Sequence, residues 1–291
     1  MAVSDDFHRG EIDFRTRSFV ATIIDRNFVE LAGVMLRSLV LNGDIGDAEI
    51  VVVGEKLRKR DKQKLESCAY PLKLHLIDLT QSSMSNFDNL PTNSNWSKTV
   101  YARLLLPNLL PKTSCRVLYI DADVLVLKSL RPLLELDMDG HPLAASGGLD
   151  PSTSERLKLS PKVKTLNSGV LLFDIDAWKQ KSLSQRCLEV AFEHVRLLKF
   201  FDQDVLNMAL EGNFLSIPQR WNDFGYGDLS DTAVLHFTRD KPNSVRCSHP
   251  AKNLYLEYRQ STPWANKPLQ SRWHKRFKRL GFSIKRTLGL A

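Results

Sequence analysis

The chain has 291 residues, of which 43% are hydrophobic and 25% are charged, and this composition excludes an intrinsically disordered chain. It contains no apolar run of roughly eighteen residues, and its first residues, MAVSDDFHRGEIDF, lack the basic and apolar regions of a secretory signal, so we predict a cytoplasmic protein. The formal net charge is +8, but the eight Lys and Arg residues from Lys267 onward account for the whole excess, which argues against a nucleic-acid-binding protein.

The first third of the chain alternates predicted strands with predicted helices. Short β-branched and apolar runs indicate strands, and amphipathic or charged runs indicate helices. In chain order we predict a strand over 18–24, a helix over 28–41, a strand over 49–53, an exposed helix over 55–66 and a strand over 72–77. This alternation is typical of βαβ units and predicts a mainly parallel sheet in an α/β fold.

The middle of the chain contains a strong strand that ends in two aspartates. A polar segment over 79–96 predicts a loop, and the pattern over 98–110 predicts a helix that stops at Pro111. The apolar run over 116–120 then leads directly into Asp121 and Asp123. Open α/β sheets bind ligands beyond the carboxyl ends of their strands, so these carboxylates are candidate site residues.

The second half predicts fewer elements. A segment rich in Ser, Pro and Lys over 150–165 predicts a loop, followed by a strand over 167–173 that is entered through a turn. We predict helices over 183–199 and from 201 onward, and a late strand over 234–237. The four cysteines stand singly and predict reduced thiols, without a disulfide or a zinc site.

Asp121 and Asp123 are the candidate metal ligands. Carboxylates at positions i and i+2 of an extended segment project to the same side and can share one divalent cation. Oxygen ligands favour Mg²⁺ or Mn²⁺, and an additional imidazole favours Mn²⁺. The same pattern also caps loops, and a strand ending in DxDxV resembles the nucleophile motif of haloacid-dehalogenase-type phosphatases. Against the phosphatase, at least two strand and helix units precede Asp121, and no later predicted strand ends in an acidic pair.

Six short motifs place polar residues at the ends of predicted strands and helices. They are IDRNF over 24–28, YAR over 101–103, YIDAD over 119–123, NSG over 167–169, DQD over 202–204, and His236 followed by Lys241 and Pro242. In this order, and over about residues 19–264, they resemble glycosyltransferase family 8, which contains lipopolysaccharide galactosyl- and glucosyltransferases and glycogenin. The resemblance implies a GT-A type fold and transfer of a hexose from a UDP-sugar, with retention, to a glycan or lipid-linked acceptor such as lipopolysaccharide.

The resemblance also implies a role for most polar residues of these motifs. They divide into metal ligands (Asp121, Asp123 and His236), uridine contacts (Asp25 and Asn27), sugar and diphosphate contacts (Arg103, Asp121, Asn167, Ser168 and Lys241), and residues at the reacting carbon (Asp202 and Gln203). Gln203 would stabilise an oxocarbenium-like centre through its amide oxygen, and Asp202 would hold sugar hydroxyls.

Each of these residues also has a purely structural alternative. Asp25 and Asn27 follow a strand and suit the cap of the next helix, and Asp202 suits a helix N-cap. Arg103 suits a surface ion pair, and His236 suits a hydrogen-bonded core histidine at a strand end.

The sequence departs from the family pattern after His236. The usual motif is His-x-x-Gly-x-x-Lys-Pro-Trp, whereas HFTRDKPN is one residue shorter, lacks the glycine and ends in Asn243. Either Lys241 or Arg239 is therefore the candidate residue for contacting the diphosphate. A sugar-nucleotide-binding protein that has kept the fold without turnover is also an open alternative.

The C-terminal residues carry an apolar stripe among basic residues. Its members lie at helical spacing and are Trp273, Phe277, Leu280, Ile284 and Leu288. Such a stripe flanked by Lys and Arg is typical of a helix on an anionic membrane surface. We predict a leader over 1–17, a catalytic domain over 18–266 and a membrane-association tail over 267–291, peripheral on the cytoplasmic face of the inner membrane. The alternative is a helix docked on the catalytic domain.

Overall fold

A seven-stranded sheet forms the centre of the molecule. The computed structural model describes residues 17–80, 90, 98–111 and 114–271. The nine strands of this part of the chain are β1 Arg17–Asp25, β2 Glu49–Glu55, β3 Leu74–Asp78, β4 Ser114–Ile120, β5 Val124–Val126, β6 Leu143–Leu149, β7 Lys164–Asp174, β8 Leu215–Ile217 and β9 Val234–His236.

The large sheet is mixed but mainly parallel. Its strand order is β3-β2-β1-β4-β7-β6-β8, and β1 to β4 all run in the same direction. Only β7 among these strands runs the opposite way, antiparallel to both β4 and β6, while β6 pairs in parallel with β8. Strands β5 and β9 form a separate antiparallel pair. The predicted α/β fold with a mainly parallel sheet is confirmed.

Helices cover both faces of the sheet. In the described part of the chain they are α1 Val29–Asn42, α2 Lys59–Ala69, α3 Leu106–Leu109, α4 Arg131–Leu134, α5 Pro151–Leu157, α6 Ile175–Gln180, α7 Leu183–Glu193, α8 Asp202–Leu210 and α9 Lys252–Arg259, with 3-10 turns at Lys98–Leu105 and Gln219–Trp221. Of these described helices, none is long and apolar enough to cross a lipid bilayer.

The alternation of side chains along β1 divides the core into two clusters. Val20 and Ile24 pack with α1 and α2 on one face, whereas Phe19 and Ala21 pack with α6, α7 and α8 on the other. Because both faces are covered, the strand is buried along most of its length and reads as a continuous apolar run.

Four of the predicted elements differ from the structure. The segment over 98–110 is a 3-10 turn followed by the short helix α3, because Pro107 has no N–H with which to continue an α-helical ladder. The predicted helix over 183–199 ends at Glu193. The strand predicted over 167–173 begins three residues earlier, at Lys164.

The fourth difference lies in the predicted loop over 150–165, which contains α5. Asp150 caps this helix by accepting hydrogen bonds from the backbone N–H groups of Ser152 and Thr153, and Pro151 takes its first position. The predicted loop over 79–96 lies almost wholly outside the described residues.

The chain beyond α9 packs on the domain. The buried Arg259 guanidinium forms an ion pair with Glu30 at 2.8 Å and donates to the carbonyl oxygens of Ala265 and Lys267. Gln270 then pairs through its backbone with the segment that follows Lys241. Residues 267–270 are thus fixed to the domain, and 272–291, most of the predicted tail, lie outside the described residues.

Candidate active site

A cleft of about 360 Å³ lies at the carboxyl ends of β1 and β4. Ten of the eleven residues predicted for the site line it, and Asn27 is the exception. They are Asp25, Arg103, Asp121, Asp123, Asn167, Ser168, Asp202, Gln203, His236 and Lys241. Six separate segments of the chain contribute these side chains, so the sheet topology brings the motifs together.

Asp121, Asp123 and His236 form a candidate metal centre. Nε2 of His236 lies 3.6 Å from an Asp121 carboxylate oxygen and 3.5 Å from an Asp123 carboxylate oxygen. One ligand atom from each residue falls within 4.8 Å of the others. Pairing of β5 with β9 creates this arrangement, because it places Val124, the residue after Asp123, opposite His236. Two carboxylates and one imidazole suit Mn²⁺ or Mg²⁺, so the residues fit the expected metal.

Asn222 is a site residue that the sequence did not reveal. Its side-chain oxygen lies 2.8 Å from Nδ1 of His236, and its side-chain nitrogen donates to Oδ1 of Asn167 at 2.7 Å. The residue is buried, directly after the 3-10 turn Gln219–Trp221. A single Asn in a loop carries no spacing that would have marked it.

Arg103 is the central cation of the cleft. Its guanidinium contacts Asp121 at 3.0 Å and Asp202 at 3.2 Å, and it donates to the backbone carbonyl of Ser168 at 2.8 Å. It also stacks on the Tyr119 ring at 4.5 Å. Because Arg103 is only 8% exposed, the alternative of a surface ion pair is wrong.

The buried charges of this cluster shift one another's pKa. Burial opposes the charge of Arg103, but the neighbouring carboxylates of Asp121 and Asp202 hold its pKa above the ordinary value. Burial raises the pKa of Asp202 to about 6, although Arg103 acts in the opposite direction. Asp202 is the first residue of α8 and follows the N-cap Phe201, so it is not itself the N-cap.

Lys241 contacts the candidate metal centre directly. Its ammonium group donates to a carboxylate oxygen of Asp123 and, at 3.1 Å, to the backbone carbonyl of Phe237. Burial disfavours the charged form of Asp123, yet the neighbouring Lys241 holds the pKa of this carboxyl well below its usual range. Arg239, the alternative phosphate contact, also lines the cleft.

Gln203 lies on α8 beside Asn167. Its amide oxygen accepts from the side-chain nitrogen of Asn167 at 2.9 Å and from the backbone N–H of Ser168 at 3.4 Å. The third residue of the DQD motif, Asp204, has a structural role, since it forms two hydrogen bonds of 2.8 Å with Arg156 and is fully buried.

Asp25 closes the turn between β1 and α1. Its carboxylate accepts from the backbone N–H of Asn27 at 2.7 Å and from the Asn27 side chain at 3.2 Å. Asn27 is exposed beside the cleft. The N-cap of α1 is Phe28, so neither residue takes that position.

A mainly parallel sheet with a DxD candidate metal centre at the end of a strand is the arrangement of GT-A type glycosyltransferases. Residues 19–249 match the model of glycosyl transferase family 8, and the chain belongs to this family. It is therefore a glycosyltransferase, and the phosphatase alternative is wrong.

Similar proteins agree with this assignment. The chain is 26% identical over 279 residues to lipopolysaccharide 1,2-glucosyltransferase of Escherichia coli K12, covering 89% of this chain and 82% of the relative. It is 26% identical over 271 residues to general stress protein A of Bacillus subtilis 168, covering 84% and 94% of the two chains. The crystal structure of the galactosyltransferase LgtC with donor and acceptor sugar analogues has a TM-score of 0.74 at 21% identity, over 86% of this chain and 99% of that one.

Gly169 has no side chain, and this leaves the space that the His236 imidazole occupies. A Cβ at Gly169 would overlap with the imidazole ring of His236. Replacing Gly169 by Ala is therefore expected to displace the imidazole and weaken Mn²⁺ binding at least about tenfold, measured by isothermal titration calorimetry.

The matched control for this experiment is Gly148→Ala. Gly148 lies on the neighbouring strand β6, and a Cβ there meets no atom within 4 Å. Equal Mn²⁺ affinity of the two variants would show that His236 does not bind the metal.

Proposed function

We propose that this glycosyltransferase transfers a hexose from a UDP-sugar to a glycan or lipid-linked acceptor with retention at the anomeric carbon. The observation that carries the proposal is the metal centre of Asp121, Asp123 and His236 in the same cleft as Arg103, Asp202 and Gln203. A diphosphate leaving group and a cationic sugar carbon need these two kinds of stabilisation side by side.

The metal centre binds the diphosphate end of the donor. Mn²⁺ or Mg²⁺ held by the two aspartates and His236 would compensate the negative charge that develops when the sugar–phosphate bond breaks. The Lys241 ammonium lies on the same carboxylate of Asp123, so it is within reach of that diphosphate as a second positive charge. Asp25, with Asn27 beside it, is proposed to bind uridine at the end of β1.

Arg103 and its neighbours bind the donor sugar. Because Arg103 is fixed by Asp121, Asp202 and Ser168, its position changes little when the sugar arrives. Asn167 and Ser168 lie at the same edge of the cleft and offer polar contacts to sugar hydroxyls. Asp202 accepts from a sugar hydroxyl while Arg103 balances its charge.

Gln203 acts at the reacting carbon. Its amide oxygen stabilises positive charge at the anomeric carbon as the bond to the diphosphate oxygen breaks. The acceptor hydroxyl attacks on the side that the diphosphate leaves, and its proton passes to the departing phosphate oxygen. Asn167 and Ser168 both donate to the Gln203 oxygen. That oxygen therefore has to face the sugar carbon while it still accepts a hydrogen bond from these residues.

Lipopolysaccharide or a related surface polysaccharide is the proposed acceptor. One relative is by name a lipopolysaccharide glucosyltransferase and matches most of this chain. The predicted basic amphipathic tail supports a lipid-linked acceptor, because it would bring the enzyme to the membrane where such a glycan is assembled.

A donor screen tests the metal centre. UDP-glucose, UDP-galactose, UDP-galacturonate and UDP-N-acetylglucosamine are each incubated with Mn²⁺, and donor hydrolysis and thermal stabilisation are measured. We expect at least one donor to be hydrolysed, and replacement of Asp121 or Asp123 by Ala to abolish both signals. The exposed Asp47→Ala is the matched control and should behave as the parent. Parent-like turnover by either site variant would contradict the assignment, and binding without turnover would favour the non-catalytic alternative.

Gln203 is tested by separating turnover from donor affinity. Gln203→Ala should lower kcat far more than it raises KM, because its oxygen acts on charge that appears mainly in the transition state. The configuration of the product is followed by NMR in the same experiment. An unchanged kcat would remove Gln203 from the mechanism, and a product of inverted configuration would refute retention.

The proposed tail is tested with two truncations. A chain ending at Ser271 loses 272–291 but keeps the contacts of Lys267 and Gln270 with the domain. It should no longer float with anionic vesicles, since each basic residue near the surface contributes about 1 kcal/mol, and its hydrolysis of soluble UDP-sugar should be unchanged. A chain ending before Lys267 should in addition lose thermal stability. Flotation of the chain that ends at Ser271 would refute the membrane role.

A further inference from the structure

A chain of side-chain amides connects His236 with Gln203. Nδ1 of His236 contacts the Asn222 oxygen at 2.8 Å, and the Asn222 nitrogen donates to the Asn167 oxygen at 2.7 Å. The Asn167 nitrogen then donates to the Gln203 oxygen at 2.9 Å. We call His236, Asn222, Asn167 and Gln203 the amide relay. Asn222 and His236 are almost completely buried, so water does not compete for the first contact.

Two backbone N–H groups fix the direction of the relay. The backbone N–H of Gly169 donates to the Asn167 oxygen at 3.0 Å, and the backbone N–H of Ser168 donates to the Gln203 oxygen at 3.4 Å. Asn and Gln side chains can reverse their oxygen and nitrogen, but a backbone N–H can only donate. The oxygen of Asn167 must therefore face Gly169.

This constraint passes through Asn222 to the histidine. Because Asn167 presents its oxygen, Asn222 must present its nitrogen to Asn167 and its own oxygen to His236. An oxygen at that position accepts only from a protonated Nδ1. The neutral imidazole then carries no proton on Nε2, the atom that faces Asp121 and Asp123.

We propose that Asn222 is a positioning residue that sets the tautomer of His236 before the metal arrives. The inference rests on the metal role proposed above for His236. The backbone of β7 thereby prepares a free Nε2 lone pair for the cation, and the same hydrogen bonds orient the amide of Gln203. The metal centre and the reacting carbon are thus supported by one set of contacts, with Asn222 linking the two.

The tautomer is measured directly in the metal-free protein. Long-range ¹H–¹⁵N correlation spectra of histidine-labelled protein, recorded above the pH at which histidine titrates, distinguish the two neutral forms. His249 is an internal reference for the opposite form, because its Nδ1 accepts from the backbone N–H of Ala251 at 3.1 Å and its Nε2 contacts the Phe224 carbonyl at 2.8 Å. We expect His236 to carry its proton on Nδ1. A proton on Nε2 of His236 in the parent protein would overturn the proposal.

Variants of Asn222 separate its two contacts. Asn222→Ala should weaken Mn²⁺ binding about 10–100-fold and leave His236 as a mixture of its two tautomers. Asn222→Asp still offers an oxygen to Nδ1, so it should recover most of the Mn²⁺ affinity. The new carboxylate of Asn222→Asp cannot donate to Asn167, so the kcat of this variant should stay below that of the parent.

The exposed Asn213→Ala is the matched control, and melting curves establish that each variant is folded. Parent-like Mn²⁺ affinity of Asn222→Ala would refute the positioning role. If the parent protein showed the expected tautomer but bound no Mn²⁺, the proposed metal role of His236 would be refuted, whereas the effect of the amide relay on the tautomer would be supported.

Discussion

Three carboxylates, those of Asp121, Asp123 and Asp202, line one cleft, and Asp123 and Asp202 are buried while Asp121 is half-buried. An unpaired buried carboxylate is strongly unfavourable, so the fold has to supply positive charge from other segments of the chain. Arg103 contacts Asp121 and Asp202, and Lys241 contacts Asp123. Each carboxylate thereby has a positive charge beside it in a cleft that has to receive a metal cation and a diphosphate.

The sheet topology makes this charge arrangement possible. Asp121 follows β4 at the centre of the sheet, and the antiparallel strand β7 beside it carries the segment over 167–169 into the same edge. The small β5–β9 pair adds His236 from a distant part of the chain. Gly169 allows the imidazole to approach, because any larger residue would occupy the same space. The positions of the candidate metal ligands thus depend on two strand pairings and on the close contact between Gly169 and His236.

The altered loop after His236 is held by the chain beyond α9. Asn243, at the position where the family pattern has Trp, is buried, and its backbone carbonyl accepts from the N–H of Gln270. The same segment from Lys267 to Gln270 is also fixed by Arg259. The shortened loop therefore packs against the chain beyond α9. This contact connects the position of Lys241 with the C-terminal part of the domain.

Local sequence was sufficient for the first three strands, for β4 and for the aspartates that follow it, because each strand is a run rich in apolar residues bounded by polar ones, even at the sheet edge where β3 is only partly buried. It did not reveal β6, whose run is interrupted by Gly147 and Gly148, or the three-residue strand β8, because such short segments are strands only through their neighbours. The motif order also identified the residues that line the cleft. The tertiary structure alone decided that Arg103 is buried between two carboxylates, that Lys241 contacts Asp123, and that Asn222 orients His236. These contacts join residues 14 to 118 positions apart in the chain, and no periodicity or local pattern records a pairing of that kind.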